Sequence, residues 1–509
     1  MTYTNPVISG FYPDPSICRV GEDYHLVTSS FEYFPGVPLF HSRDLVNWRQ
    51  IGHVLTRQSQ LEFPRWSASG GIFAPTLRYH DGTFYMITTN TSGQGNFVVH
   101  TQDIHGEWSD PVWIEQGGID PSLFFDDDGT VYLSTSWSKG WPVPEDIDPD
   151  GAYWGIQQSV IDLKTGKRLS EPRVVWSGTG GRYPEGPHLY KIQGKYYLLM
   201  AEGGTERGHM ITLGRSDSPW GPFESCPHNP ILTHRSLYSP FQALGHGDLV
   251  EAHDGSWWMV CLGIRPQGNP ETAHLGRETF LAPVHWTEEG WPVVGNSGRL
   301  GKINKSPDLP AHPWPEAEKA EFAGPQLDLK WVTLGHPREG MVSLSERPGA
   351  LRLQGNALGL QDGPGVAFVG QRQQHYACNV SVHLDFDPQN EGEEAGITVW
   401  MNLQHHYDLY VTRQDGKRVV VLRKRIDDLM SCKAVPVQDG PVQLKINASP
   451  EVYQFSVQQG TAEQTVGSGV ARYLAPEVAG GFTGVVLGLF ASGNGQMPAA
   501  FFEGYQYLA

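Results

Sequence analysis

The sequence predicts an all-β protein, a five-bladed β-propeller followed by a β-sandwich. Three observations predict it. A short phrase returns five times in the first part of the chain, each copy is followed by a turn and an aromatic strand, and a Pro-rich break then gives way to alternating strands. Composition agrees: 18% charged residues, 11% aromatics, 60 Gly and 38 Pro suit short strands and frequent turns.

The copies read Asp14-Pro-Ser-Ile, Ala74-Pro-Thr-Leu, Asp120-Pro-Ser-Leu, Glu185-Gly-Pro-His-Leu and His246-Gly-Asp-Leu. Their openers stand 60, 46, 65 and 61 residues apart, which suits a four-stranded blade with loops of variable length. Ten or eleven residues after each opener comes an aromatic strand behind a turn, at Tyr24, Phe84, Val131-Tyr132, Tyr196-Tyr197 and Trp257-Trp258. In a propeller the first strand of each blade runs beside the central channel. Equivalent positions then face one another across the axis, so Asp14, Asp120, Glu185 and His246 are expected to meet.

The blade pattern fades near Trp286-Thr-Glu-Glu-Gly-Trp291, placing the propeller at 1–305. Ser306-Pro-Asp-Leu-Pro-Ala-His-Pro-Trp-Pro315 cannot enter a sheet interior and marks a linker over 306–321. The best helical candidate, Trp314 to Ala323, falls there, and helix is expected to be scarce. From 322 to 509 the strands alternate, as in Val380-Ser-Val-His-Leu-Asp-Phe and Tyr407-Asp-Leu-Tyr-Val, the pattern of a sandwich of antiparallel sheets with one wet face.

A formal charge of −18 without a basic stripe argues against nucleic acid and anionic lipid. No apolar run approaches the ~18 residues of a membrane span, and the amino terminus lacks a basic start with a long apolar run. Five cysteines, an odd number without C-x-x-C spacing, argue against a disulfide framework and a structural zinc site. A cytoplasmic protein is expected. Motifs for metalloproteases, P-loop nucleotide binding and serine hydrolases are absent. Asp126-Asp127-Asp128-Gly129 reads as a hairpin turn rather than a calcium loop, and His405-His406 as the exposed end of a sandwich strand.

Three converging carboxylates suit glycosidic bond hydrolysis, which takes one acid to protonate the leaving oxygen and a second carboxylate to act on water or on the anomeric carbon. The third would help keep the acid protonated by like-charge repulsion. An Asp before Pro-Ser often only caps a turn, but capping does not explain Glu in the fourth copy and His in the fifth. His246 alone does not specify a transition-metal site, although a cation held mainly by water would need little more.

On Gly10-Phe-Tyr-Pro-Asp14-Pro-Ser, Phe31-Glu-Tyr-Phe-Pro-Gly36, Ser42-Arg-Asp-Leu-Val-Asn-Trp48, Gly70-Gly-Ile-Phe-Ala-Pro75, Asp120-Pro-Ser-Leu-Phe, Glu185-Gly-Pro-His-Leu-Tyr190, Ala201-Glu-Gly-Gly-Thr205 and Leu275-Gly-Arg277-Glu-Thr, the chain resembles glycoside hydrolase family 43. The resemblance is specifically to its β-xylosidases with an extra C-terminal sandwich. The resemblance implies a concanavalin-like jelly roll and hydrolysis with inversion, with base and acid roughly 6.5–9.5 Å apart. It implies Asp14 as general base, Glu185 as general acid and Asp120 as the residue that tunes the acid. Arg277 and Thr205 would bind sugar, Phe31 and Phe73 would wall the terminal-sugar pocket, and a structural or modulating Ca2+, not required for the chemistry, would lie near His246. A sandwich loop would close the pocket, with Gly493 to Pro498 the candidate.

The expected activity is release of terminal β-D-xylose from xylo-oligosaccharides, with α-L-arabinofuranosidase as the alternative, alone or as a second activity. Phe73, Thr76 and Phe63-Pro-Arg-Trp-Ser67 depart from many relatives beside the pocket and leave the sugar open. A non-catalytic sugar-binding protein is the contrasting class. Expected partners are small xylo-oligosaccharides or arabinose-substituted oligosaccharides, and a homo-oligomer is left open.

Overall fold

The computed structural model describes residues 1–139, 154–315, 321–494 and 496–509. Each of the five repeats folds into one antiparallel sheet of strands that follow one another in the chain. The inner strands are Ser16–Val20, Thr76–His80, Ile119–Phe125, Glu185–Ile192 and Gln242–Glu251, each beginning at or shortly after its opener or, in the third and fifth blades, slightly before it. The aromatic strands predicted behind each turn pair directly with them. Asp126 to Gly129 forms the hairpin turn of the third blade, with Gly129 at φ 85°.

Among the described residues no strand is exchanged between the first and last blades. Instead Thr2–Thr4 pairs with Ile303–Lys305, while Asn5 exchanges hydrogen bonds with the backbone of Leu281 on the fifth blade. The two ends of the propeller segment thus close the ring by backbone pairing and a buried amide.

The linker lies against the first blade. His312 N–H donates to Asp44 at 2.7 Å, the Trp314 indole donates to Asn47 O, and the Arg49 guanidinium sits 4.3 Å above the Trp314 ring. The helical candidate over 314–323 falls largely on 316–320, outside the described residues. Among the described residues the only α-helical segment is one turn, Pro476–Ala479.

The sandwich consists of an eight-stranded and a seven-stranded sheet. One strand of the larger sheet comes from the propeller: Tyr33–Phe34 pairs with Trp331–Leu334. Phe11, Phe31 and Tyr33 of the propeller share an apolar core with Phe368, Trp400 and Phe490 of the sandwich. Each fully buried Phe contributes about 1.5–3 kcal/mol, so the two domains are fixed against one another by packing as well as by pairing. His405 and His406, expected at an exposed strand end, are both buried. The reason is a partner: His406 Nδ1 lies 2.9 Å from Asp408, which also accepts from Thr398 and Arg423.

Candidate active site

The openers meet because of how each inner strand is broken. Register shifts interrupt the pairing at Ile119/Ser122, Glu185/His188 and Gly245/Gly247, so a bulge spans Asp120, follows Glu185 and spans His246. A bulge bends its strand and re-aims the side chain, here toward the axis. Asp14, Asp120 and His246 all take left-handed backbone, at φ 55°, 53° and 45°. Such a conformation costs about 1–3 kcal/mol for a residue other than Gly, and three such costs at equivalent positions point to use rather than accident. After Glu185 the same conformation falls to Gly186, whose absent side chain leaves room for the His246 ring; a Cβ there would lie 2.8 Å from Nε2.

All eight residues expected from the sequence line one cavity of about 100 Å3: Asp14, Phe31, Phe73, Asp120, Glu185, Thr205, His246 and Arg277. Arg277 donates to Asp14 Oδ1 and to Thr205 Oγ1, both at 2.9 Å. His246 Nδ1 stands 3.6 Å from Asp14 Oδ1, and Gly186 N–H donates to Asp120 at 3.1 Å. Phe31 and Phe73 meet edge to face at 5.7 Å on the cavity wall.

The carboxyls divide electrostatically. Burial works against ionising Asp14, but Arg277, His246 and the Ser29 hydroxyl, which donates at 2.6 Å, outweigh it and hold the group below the usual range. Burial raises Asp120, with Glu185 and Asp14 adding to it against the pull of His246. Burial also raises Glu185, with Asp14 adding, against His246 and Arg277. One ionised carboxylate thus faces two groups that resist ionisation, the division that acid and base roles require.

Three contributors escaped the sequence reading. Phe482 reaches over from the sandwich, stacks on Phe31 at 6.4 Å and meets Phe73 edge to face at 5.9 Å. The sandwich loop at the pocket is therefore Gly481 to Gly484. Of the other candidate loop, Gly493 donates to Asn356 O and Met497 is buried within the sandwich core. Gly481 brings backbone against Ser69, whose hydroxyl accepts from Phe482 N–H, and a Cβ at Gly484 would lie 2.3 Å from Leu275 O. An aromatic flanked by close-approach glycines was the available signal. Ser29 and His209 carried none: one holds Asp14, and the other lies 3.6 Å from Glu185 with its imidazole driven down to about 4, chiefly by burial.

Beneath the carboxylates a second polar layer crosses the channel, built from all five blades. Arg78 donates to Asp248 and to His188, Ser16 donates to Asp248, Tyr190 donates to Asp248, and Ser122 lies 3.1 Å from His188. The axis thus already carries a fixed guanidinium. Among the described residues no three His, Cys, Asp or Glu side chains come together in a way that would hold a metal. This donor set does not fit a protein-held calcium ion near His246, and no step is derived through one.

Residues 3–292 match the family description "Glycosyl hydrolases family 43", and residues 319–507 match "Beta xylosidase C-terminal Concanavalin A-like domain". The chain belongs to glycosyl hydrolase family 43. Family membership makes it a glycoside hydrolase and sets aside the reading as a sugar-binding protein without activity. A Bacteroides ovatus relative described as a non-reducing end α-L-arabinofuranosidase is 45% identical, covering 97% of this chain and 92% of its own. A Butyrivibrio fibrisolvens xylosidase/arabinosidase is 39% identical over 97% of this chain and 96% of its own. The crystal structure of a xylan β-1,4-xylosidase from Bacillus halodurans superposes with a TM-score of 0.94 at 35% identity, covering all of both chains.

Proposed function

We propose that this family 43 hydrolase releases terminal β-D-xylose from the non-reducing ends of xylo-oligosaccharides, with inversion. The observation that carries the proposal is a cavity of about 100 Å3 that holds three carboxyls of opposed ionisation and is overhung by Phe482. A space of that size takes one terminal sugar and favours removal of single residues.

Asp14, kept ionised by Arg277 and Ser29, accepts a proton from the attacking water. Glu185, kept protonated by burial, delivers its proton to the departing glycosidic oxygen. Asp120, held by Gly186 N–H on the residue after Glu185, tunes the acid and fixes the local backbone. Arg277 and Thr205 hold sugar hydroxyls, and Phe31, Phe73 and Phe482 exclude water and pack on the apolar sugar face.

A second reading, α-L-arabinofuranosidase activity, is favoured by the 45% identical Bacteroides ovatus relative. Paired assays on aryl β-D-xylopyranoside and aryl α-L-arabinofuranoside separate the two. A kcat/KM for the xyloside at least tenfold above that for the arabinofuranoside is expected. The reverse ratio assigns the second activity, and no release from either overturns both.

A further inference from the structure

The three carboxyls of the site are not held alike. Asp14 accepts from Arg277 and from Ser29, and Asp120 accepts from Gly186 N–H. Among the described residues no hydrogen bond reaches the Glu185 carboxyl, and the one basic side chain within ion-pair reach of it is His209, with Nε2 3.6 Å from Oε1. An acid that works near neutral pH needs a neighbour that favours its protonated form, and catalytic hydrogen bonds are often long before substrate binds.

His209 is built into the seam between the fourth and fifth blades. It directly precedes the fourth-blade strand Met210–Ser216 and is fully buried. Its backbone is pinned on both sides: the N–H donates to Glu206 O at 2.9 Å, and the carbonyl accepts from the Thr233 hydroxyl at 2.9 Å. The ring lies against Gly245 of the fifth-blade inner strand, where a Cβ would come within 2.2 Å of Nδ1, so the glycine makes the notch that the imidazole fills. Packing alone would be served better by an apolar side chain, since neither ring nitrogen completes a hydrogen bond among the described residues.

The surroundings keep the ring neutral. Burial and then Arg277 outweigh Asp14 and Glu206 and hold the imidazole at about 4, while the Ala243 carbonyl, two residues before Gly245, favours an N–H on the ring. A neutral imidazole with one nitrogen so committed keeps a lone pair on the other. Glu185 for its part faces His246, Asp14 and Arg277, and raises Asp120 in turn.

We infer that His209 is a positioning residue for the acid: Nδ1 carries the imidazole proton toward Ala243 O, and Nε2 accepts from the Glu185 carboxyl, so that the acid waits protonated. This rests on the reading of Glu185 as general acid given above. A lone pair at Nε2 attracts a carboxyl O–H and repels a carboxylate, so the ring supports only one of the two states. In the reaction the proton passes from Glu185 to the glycosidic oxygen as the C–O bond breaks and its electron pair moves onto that oxygen; His209 takes up no proton.

The test measures kcat/KM against pH for the phenyl and dinitrophenyl glycosides of whichever pentose the wild-type protein cleaves, in the full chain and in His209→Phe, His209→Asn and His209→Gln. Phe fills the notch without a nitrogen, Asn stops short of Glu185, and Gln reaches the place of Nε2. In His209→Phe and His209→Asn the alkaline limb on the phenyl glycoside should move down by about one pH unit, a loss of about tenfold above it. Dinitrophenolate leaves without a proton, so its release should change by less than about twofold, which also shows that the variant is folded. His209→Gln should recover part of the loss. An alkaline limb that stays in place or moves up, or two leaving groups that suffer equally, overturns the inference. If His209→Phe does not fold, the Asn and Gln variants decide, and identical limbs in those two overturn it. Glu185→Gln is the control: if that variant cleaves the phenyl and dinitrophenyl glycosides with equal loss, the acid reading itself fails instead.

Discussion

Each domain buries a cluster of charges, and the two clusters are built on opposite principles. In the sandwich, Asp408 is matched on every side: His406, Thr398 and Arg423 all point at it, and its carboxyl, despite burial, is held down at about 2. In the propeller, Arg277 bonds Asp14 alone of the three carboxyls, and burial drives the other two up. Matched charge stabilises a fold, whereas unmatched charge of one sign stores the protonation asymmetry that catalysis uses. Backbone tells the same story, since three of the four axial groups sit in left-handed conformations while no residue of the sandwich cluster does.

The sharpest test of this contrast is removal of the proposed acid, Glu185, or the proposed base, Asp14. Glu185→Gln and Asp14→Asn should each lower kcat on an aryl pentoside by about 10²–10⁴, the usual worth of general acid or base catalysis. Neither rate should change with full preservation of fold as judged by circular dichroism if the contrast is wrong.

In the sandwich the same kind of change should act on stability. Asp408→Ala leaves buried His406 without its carboxylate and strips Arg423 of one of its two, Glu394 remaining, and should cost about 1–3 kcal/mol, read as a lower denaturation midpoint, with kcat of the folded protein near wild type. An Asp408 variant that is fully stable but inactive would reverse the roles of the two clusters.

Phe482→Ala removes the one sandwich ring stacked on Phe31, and should reduce kcat/KM on an aryl pentoside about three- to tenfold, mostly through KM, as expected from about 0.5–1.5 kcal/mol of ring contact.

pH separates the domains further. Asp14 and Asp408 are lower in the folded state than unfolded, so their contribution to stability is present above the ordinary carboxylate range and lost as pH falls through their folded values. Asp120 and Glu185 are raised, so the folded state binds more protons than the unfolded one, and stability declines as pH climbs from the ordinary carboxylate range toward their raised values. Activity should fall on the alkaline side as the Glu185 proton is lost. Glu185→Gln should flatten part of the stability slope between mildly acidic and neutral pH, measured by thermal melts across that range. The smallest effect is expected from chelation: dialysis against EDTA should change kcat less than about twofold, because the axial donor set does not fit a protein-held metal.

The repeat made the propeller legible because its spacing and turns are local, and the blade topology then places equivalent positions around one axis. That is why Asp14, Asp120, Glu185 and His246 could be named together, and why the motif around Arg277 carried over intact. Phe482 was not legible, because its function depends on a contact between positions 413 residues apart, Ser69 and Phe482, that no local pattern encodes. His406 shows the converse. Its position near a strand end suggested exposure, but a carboxylate two residues on and an arginine from the next strand made burial affordable.

By itself, then, the sequence determined the secondary structure, the order of the domains and the chemical identity of the axial groups, since each depends on neighbours close in the chain or on a repeated period. Only the tertiary structure decided which carboxyl stays ionised and which loop overhangs the pocket. Those properties depend on burial, on Arg277 reaching Asp14 rather than Glu185, and on the angle at which one domain packs against the other. Solvent exclusion and charge separation exist only once the chain has closed into its final shape.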